Sequence, residues 1–289
     1  MIRLCAFSDE ASPSLAGQID AMQRNGIGLT ELRSVAGKNV KDLSLEEAKQ
    51  IKEELDAAGI AVWSIGSPLG KVDITVDMDE YLKTVAHVCE LANVLDAKRI
   101  RMFSFFNAYG QSEKVYEYLH RMIEVADRYG VKLCHENEKD IYGDTLERVL
   151  LIMQNVKGLY YVYDPANFLQ VEQPATETLH ALHGKTEYFH IKDVIAATGE
   201  IVPAGHGDGL IDTLVSMIDP NQDTVLTLEP HLRVFAGYAQ IDNQEMKNKY
   251  TFASNDQAFD AAANAIMEIL IKNGYVYTKG GFEKNASGT

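Results

Sequence analysis

Eight short apolar runs recur along the chain, each followed by a longer stretch whose apolar residues repeat at helical spacing; this alternation constrains the fold more than any other feature. The runs are Ile2–Phe7, Leu29–Arg33, Ala61–Ile65, Arg99–Phe103, Val131–Glu136, Leu159–Asp164, Tyr188–Ile191 and Val225–Glu229. After the second run, Leu45, Ala48, Ile51, Leu55 and Ala58 line one face of a helix that opens on a Ser44-Leu45-Glu46-Glu47 capping box and closes at Gly59. Met78, Tyr81, Leu82, Val85, Cys89 and Ala92 repeat the pattern before the fourth run, and Val115, Leu119, Met122 and Ala126 repeat it before the fifth. Asp144-Thr145-Leu146-Glu147 opens the helix after the fifth run, and Phe259, Ala262, Ala263, Ile266, Met267 and Leu270 mark the last one. Eight strand–helix units predict an α/β protein of the (β/α)₈ TIM barrel type. An open doubly wound sheet fits less well, because no Gly-x-Gly-x-x-Gly follows the first strand. With no Pro- or Ser-rich linker or composition break, residues 1–289 read as one barrel domain, with a long loop over 232–252 after strand eight and a short tail over 275–289.

The 289 residues carry 27 Lys and Arg against 42 Asp and Glu, a formal net charge of −15. That balance opposes nucleic acid and anionic membrane, both of which need a basic surface to replace counterions. Cys5, Cys89 and Cys134 are odd in number and unpaired in spacing, as in a reducing cytoplasm. The first ten residues turn acidic before a signal-peptide core forms, and no run reaches the roughly 20 apolar residues of a membrane span. The expectation is a cytoplasmic protein.

In barrels of this type the chemistry lies at the carboxyl ends of the strands. Strand five ends in Cys134-His135-Glu136-Asn137, strand six in Tyr163-Asp164-Pro165-Ala166-Asn167, strand seven in His190-Ile191-Lys192-Asp193 and strand eight in Leu228-Glu229-Pro230-His231. Adjacent strands thus supply Glu136, Asp164, His190 and Glu229. Three carboxylates at one mouth repel each other and resist ionisation unless a cation neutralises them, which implies a metal. Three oxygens and one imidazole suit one divalent ion, Mn²⁺, Mg²⁺, Co²⁺ or Zn²⁺. An ion with open positions could polarise a substrate carbonyl and acidify the neighbouring C–H, and the two glutamates could then exchange protons with that carbon.

These pieces, with Leu29-Thr30-Glu31-Leu32-Arg33 on strand two, occur in an order that resembles the xylose isomerase-like barrels. That superfamily includes sugar phosphate isomerase/epimerases, ketose 3-epimerases, inosose isomerases and an apurinic endonuclease branch. The resemblance spans essentially all eight units. It implies that Glu136, Asp164, His190 and Glu229 bind one divalent metal and that Glu136 and Glu229 also act as the acid/base pair, working in the epimerases through a metal-held cis-enediolate. Two departures stand out. Several epimerases and the endonucleases carry a histidine three residues after the strand-six aspartate, where this chain has Asn167. The endonucleases use extra histidines after strands three and four, where this chain has Ser64-Ile65-Gly66-Ser67 and Ser104-Phe105-Phe106-Asn107, so DNA repair is disfavoured.

Further substrate contacts are expected from Glu31, Asn167, Lys192, His206, His231 and Arg233. Lys192 and Arg233 follow strands seven and eight, where a cation could hold a phosphate or carboxylate; solvated rim charges are the plain alternative. Glu31 could bind substrate hydroxyls with Arg33 as its ion-pair partner, or the two could form a structural clasp. Glu138 shares the parity of Glu136, while His135 should face the helices as a satisfied core histidine. His206 lies in the glycine-rich stretch 203–209, read as a loop able to close over the mouth or as a simple turn. The 232–252 loop reads as a specificity or subunit-contact element. The leading expectation is a metal-dependent isomerase or epimerase acting on a sugar, sugar phosphate or cyclic polyol ketone, with a homodimer or homotetramer as its assembly. A dehydratase or lyase using the same glutamates, and a non-catalytic sugar-binding barrel, are the alternatives.

Overall fold

In the computed structural model, which describes residues 1–236, 238, 246–248 and 250–285, strand β1 (Ile2–Ala6) pairs in parallel with strands on both of its sides. One neighbour is β2 (Leu29–Leu32); from there β3 (Ala61–Gly66), β4 (Arg99–Met102), β5 (Lys132–Glu136), β6 (Tyr160–Tyr163), β7 (Tyr188–Ile191) and β8 (Thr224–Leu228) follow in chain order. β8 then pairs with β1 over Ile2–Ala6, so eight parallel strands close into a (β/α)₈ barrel. Closure leaves no free edge in the barrel, and every inner strand finds both of its hydrogen-bonding partners.

Among the described residues nine α-helices lie outside, labelled α1 to α9: Leu15–Arg24, Leu45–Ala57, Met78–Val94, Ser112–Tyr129, Leu146–Asn155, Pro165–Gln170, Ala175–Leu182, Ile211–Met217 and Asn255–Lys272. Local chemistry sets their ends. At α2 the Ser44 hydroxyl accepts from the Glu47 amide at 3.2 Å and Glu47 accepts from the Ser44 amide at 2.7 Å, the reciprocal cap expected from the sequence. Gly59, at φ +73°, then turns the chain in a left-handed conformation that costs a glycine little. The main apolar core fills the space between strands and helices, from Ile2 and Leu4 on β1 through Val85 on α3 and Leu119 on α4 to Ile266 on α9. No described helix is long and apolar enough to cross a membrane.

Strand parity sorts the interior of the barrel. A separate small cluster joins Cys5, Cys134, Val162, Tyr188 and Val225, with Leu29 and Trp63 packed against it. Cys134, Val162 and Tyr188 each stand two residues before Glu136, Asp164 and His190, so alternation puts both sets on the inner face, the apolar layer beneath the polar one. All three cysteines are free thiols and buried.

Three features depart from the expected pattern. Two small hairpins, Ser34–Val35 with Lys38–Asn39 and Asp193–Ile195 with Glu200–Val202, rise from the ends of β2 and β7. The expected tail over 275–289 is instead a hairpin of Tyr275–Thr278 and Gly281–Lys284, whose Phe282 pairs with Ile2 at the start of β1. Residues 286–289, and residues 237, 239–245 and 249 of the long loop, lie outside the described set. The part of that loop that is described packs on the Asp193–Val202 hairpin: Ile201 N–H donates to the Lys247 carbonyl at 2.8 Å.

Candidate active site

Asp164 directly follows β6 and does two things. Its Oδ1 accepts the Asn167 amide at 3.0 Å and so caps α6, whose first residue, Pro165, has no N–H to offer. Its Oδ2 is buried and lacks a hydrogen bond, although Lys192 Nζ approaches to 2.8 Å. Asn137 fixes this corner, donating to the Asp164 carbonyl at 2.9 Å and accepting its amide at 3.0 Å.

His190 is the hub. Its Nδ1 lies 3.0 Å from Glu136 Oε1 and 3.3 Å from Glu229 Oε2, and its Nε2 lies 3.2 Å from Glu31 Oε2. Burial by itself pushes the imidazole toward neutrality, but the carboxylates of Glu136 and Glu31 outweigh it and hold the pKa well above the usual histidine range. The Phe7 ring packs edge-on against the imidazole at 5.2 Å.

Six buried carboxylates surround this hub: Asp9, Glu10, Glu31, Glu136, Asp164 and Glu229. Among the described residues three buried permanent cations answer them: Arg33, Arg101 and Lys192. Arg33 forms a fork on Asp9, with Nε and Nη2 each at 2.9 Å, and reaches Glu10 at 3.3 Å and Glu229 at 3.2 Å. Its guanidinium lies between the rings of Phe7 and Phe235, 4.4 and 4.7 Å from their centroids. Arg101 Nε stands 3.3 Å from Glu136 and 3.7 Å from Glu31. The shortfall of positive charge shows in the acids. Burial, only partly offset by Arg33, lifts Glu10 to about 8, and burial partly offset by Lys192 lifts Asp164 to about 7. Glu229 goes the other way: burial raises it, but Lys192, His190 and His231 hold it well below the ordinary range.

Glu136, Asp164, His190 and Glu229 each place a donor atom within 4.8 Å of the others. Three carboxylates and an imidazole so gathered, one carboxylate oxygen lacking a hydrogen bond and the local charge short of cations, fit a divalent ion. Glu10, Glu229 and His231 form a second such group, but there the Arg33 guanidinium already supplies the cation.

The other expected residues divide. Asn167 donates to Glu136 Oε1 at 3.2 Å and to the Asn137 carbonyl at 2.9 Å. Lys192 is buried between Asp164 and Glu229, not a solvated rim charge. His231, at φ +45°, has its amide on Glu10 at 2.8 Å and its ring stacked on Phe235. Glu31 is buried and touches His190, but Arg33 is not its partner: Arg33 turns to Asp9, Glu10 and Glu229, and Arg101 is the arginine near Glu31. Glu138 pairs with Lys71 at 3.0 Å. His135 is a buried core histidine but only half satisfied, its Nε2 2.9 Å from Ser104 Oγ and its Nδ1 without a hydrogen bond, with burial lowering its pKa to about 3. Arg233 donates to the Phe252 carbonyl and stays outside the cluster. So does exposed His206, whose Nδ1 is 3.2 Å from Tyr250 Oη. The glycine-rich stretch is held by Asp193, which accepts the amides of Gly205, Gly207 and Gly209 at 2.8, 3.0 and 2.9 Å.

A cavity of about 370 Å³ opens above, lined in part by Glu138, Asn167, Lys192, His231 and Tyr238. Its size suits a small ligand.

Residues 19–251 match the model of the xylose isomerase-like TIM barrel family. No curated protein matches the chain by sequence. Among solved structures, an L-ribulose 3-epimerase superposes with a TM-score of 0.73 at 16% identity, covering 94% of this chain and 96% of that one. The IOLI protein, solved with a bound zinc atom, gives 0.69 at 16% identity over 94% and 99%. AsbF from Bacillus anthracis, described as a probable 3-DHS dehydratase of petrobactin synthesis, gives 0.69 at 13% identity over 92% and 99%. Identities this low speak for the fold alone.

Proposed function

This chain belongs to the xylose isomerase-like TIM barrel family, and from that premise we propose that it is a divalent-metal-dependent isomerase or epimerase of a small sugar-like carbonyl compound. The observation that carries this reading is the convergence of Glu136 and Glu229 on one side of one imidazole, 3.0 and 3.3 Å from His190 Nδ1, next to the cavity. A binding module has no need of two such proton-transfer groups.

Glu136, Asp164, His190 and Glu229 would hold the ion, which when bound polarises the carbonyl of the substrate. His190 would have to give up the proton that Glu136 and Glu31 stabilise before it could act as a ligand, and Asp164 holds the α6 cap with Oδ1. Glu229, kept ionised by Lys192 and His190 before an ion binds and by the charge of the ion after it, would be suited to removing a proton from the carbon beside the carbonyl. Glu136 returns a proton, with Asn167 and Arg101 fixing its two oxygens. Return to the same carbon gives an epimer, and return to its neighbour gives an isomer.

The test is deuterium uptake from heavy water into a panel of ketoses, their phosphates and inososes, with Mn²⁺ supplied and then chelated. Metal-dependent exchange into one compound supports the reading. A product lighter by one water moves it to a dehydratase, and a panel without exchange or turnover removes the enzymatic reading.

A further inference from the structure

Lys192 Nζ sits against one oxygen that has no hydrogen bond, Asp164 Oδ2, and a second, Glu229 Oε2, that it shares with His190 Nδ1. Asp164 Oδ1 is taken by the Asn167 amide and Glu229 Oε1 by Arg33 Nη1, while Lys192 Nζ lies 2.8 Å from Asp164 Oδ2 and 3.3 Å from Glu229 Oε2. These are the oxygens through which the two residues would reach a metal ion. A divalent ion binds carboxylate oxygens at about 2.0–2.2 Å, so an ion and an ammonium cannot both occupy that position without placing like charges in contact.

The three buried cations of the site are not equally able to move. Arg33 is forked onto Asp9 and held between two rings, and Arg101 donates to the Ser67 carbonyl at 3.3 Å and lies over Phe7 and Phe103. The ion pairs of Lys192 are with two of the four candidate ligands, and it ends a flexible four-carbon stem lining the cavity. We infer that Lys192 is the resident counter-cation of the metal position, holding Asp164 and Glu229 until a divalent ion displaces its ammonium into the cavity. This rests on the proposed metal-dependent reading and adds a determinant of metal affinity to it. Once displaced, the ammonium stands in the cavity, able to donate to a substrate oxygen.

The experiment is calorimetric titration of chelator-treated protein with Mn²⁺ for wild type, Lys192→Met and Lys192→Gln, alongside labelling of wild type by an amine acetylating reagent read by peptide mass spectrometry. Both variants should bind Mn²⁺ at least about tenfold more tightly, as removal of a nearby like charge demands. Lys192, only 4% exposed, should be acetylated slowly without metal and distinctly faster with Mn²⁺ bound, the other lysines serving as the reference. Equal or weaker binding by the variants overturns the inference, as does a Lys192 that stays protected in the Mn²⁺-loaded protein. Should neither variant fold, the labelling decides alone. Wild type that takes up no Mn²⁺ ends the metal-dependent reading itself, and this inference with it.

Discussion

Arg33 and Asp9 form a two-point ion pair inside the protein, Nε and Nη2 each 2.9 Å from a different carboxylate oxygen and both side chains only 3% exposed. Asp9 Oδ2 also accepts the Ser34 hydroxyl at 2.8 Å, so strands β1 and β2 are joined at their carboxyl ends by charge as well as by the sheet. Arg33→Met would leave Asp9, Glu10 and Glu229 buried without the guanidinium, and the expected loss of stability is about 3–5 kcal/mol. Arg33→Lys should recover only part of it, because an ammonium has no planar fork. Urea unfolding of the three proteins checks this; a loss below about 1 kcal/mol in Arg33→Met would contradict it.

Glu136→Gln and Glu229→Gln keep side-chain size and remove the proton-transfer groups. Both variants should fold, with far-ultraviolet dichroism like wild type, and lose solvent-proton exchange into substrate by roughly 100- to 10,000-fold. The two should differ in stability. Glu229 is held ionised by Lys192 and His190 and also contacts Arg33, so its amide leaves more charge unanswered than the amide of Glu136 does. Full exchange in either variant refutes the assigned roles.

The barrel was legible because each element obeyed a local rule. Apolar runs marked the eight strands to within about two residues, and the Ser44 cap with Gly59 bounded α2. The four candidate ligands were legible because they end adjacent strands. What the sequence hid was which distant charges pair. Arg33 and Glu31 share a face two residues apart, yet the turn after β1 brings Asp9 and Glu10 against Arg33, and it pairs with them. Asp9 and Glu10 follow β1 and obey the same strand-end rule that picked out Glu136. Arg101 was missed, although its place two residues after Arg99 and two before Phe103 is a signal that a charge lies on the inner face of the strand. The burial of Lys192 had no sequence signal, because it depends on carboxylates from two other strands.

Gly207 is required by space. A Cβ there would stand 2.4 Å from Asp193 Oδ1 and 2.6 Å from the Val194 carbonyl oxygen, so alanine must break the grip of Asp193 on the loop amides. Gly207→Ala should cost about 1–3 kcal/mol. Gly184→Ala, where a Cβ meets nothing within 4 Å, should stay within about 0.5 kcal/mol of wild type. Equal melting temperatures for the two variants would show that the loop yields without loss.

Glu187, just before β7, closes the opposite end of the barrel, with Arg99 Nη2 at 2.7 Å and Lys132 Nζ at 2.9 Å. Half-burial raises its pKa, but the hydrogen bond from Lys132 and the charge of Arg99 outweigh that and leave it lowered. A carboxylate whose pKa is lower folded than unfolded binds fewer protons in the native state, so its contribution is complete above the unfolded value and fades as pH falls through the folded one. Glu187→Gln removes that contribution at every pH. The stability gap between wild type and variant should therefore be widest near neutrality, begin to narrow once the pH drops below the ordinary glutamate range, and become smallest in strong acid. Urea unfolding of both proteins at a series of pH values reads the gap directly. A gap that stays constant across the series would mean that the two cations hold Glu187 by shape and hydrogen bonding without lowering its affinity for a proton.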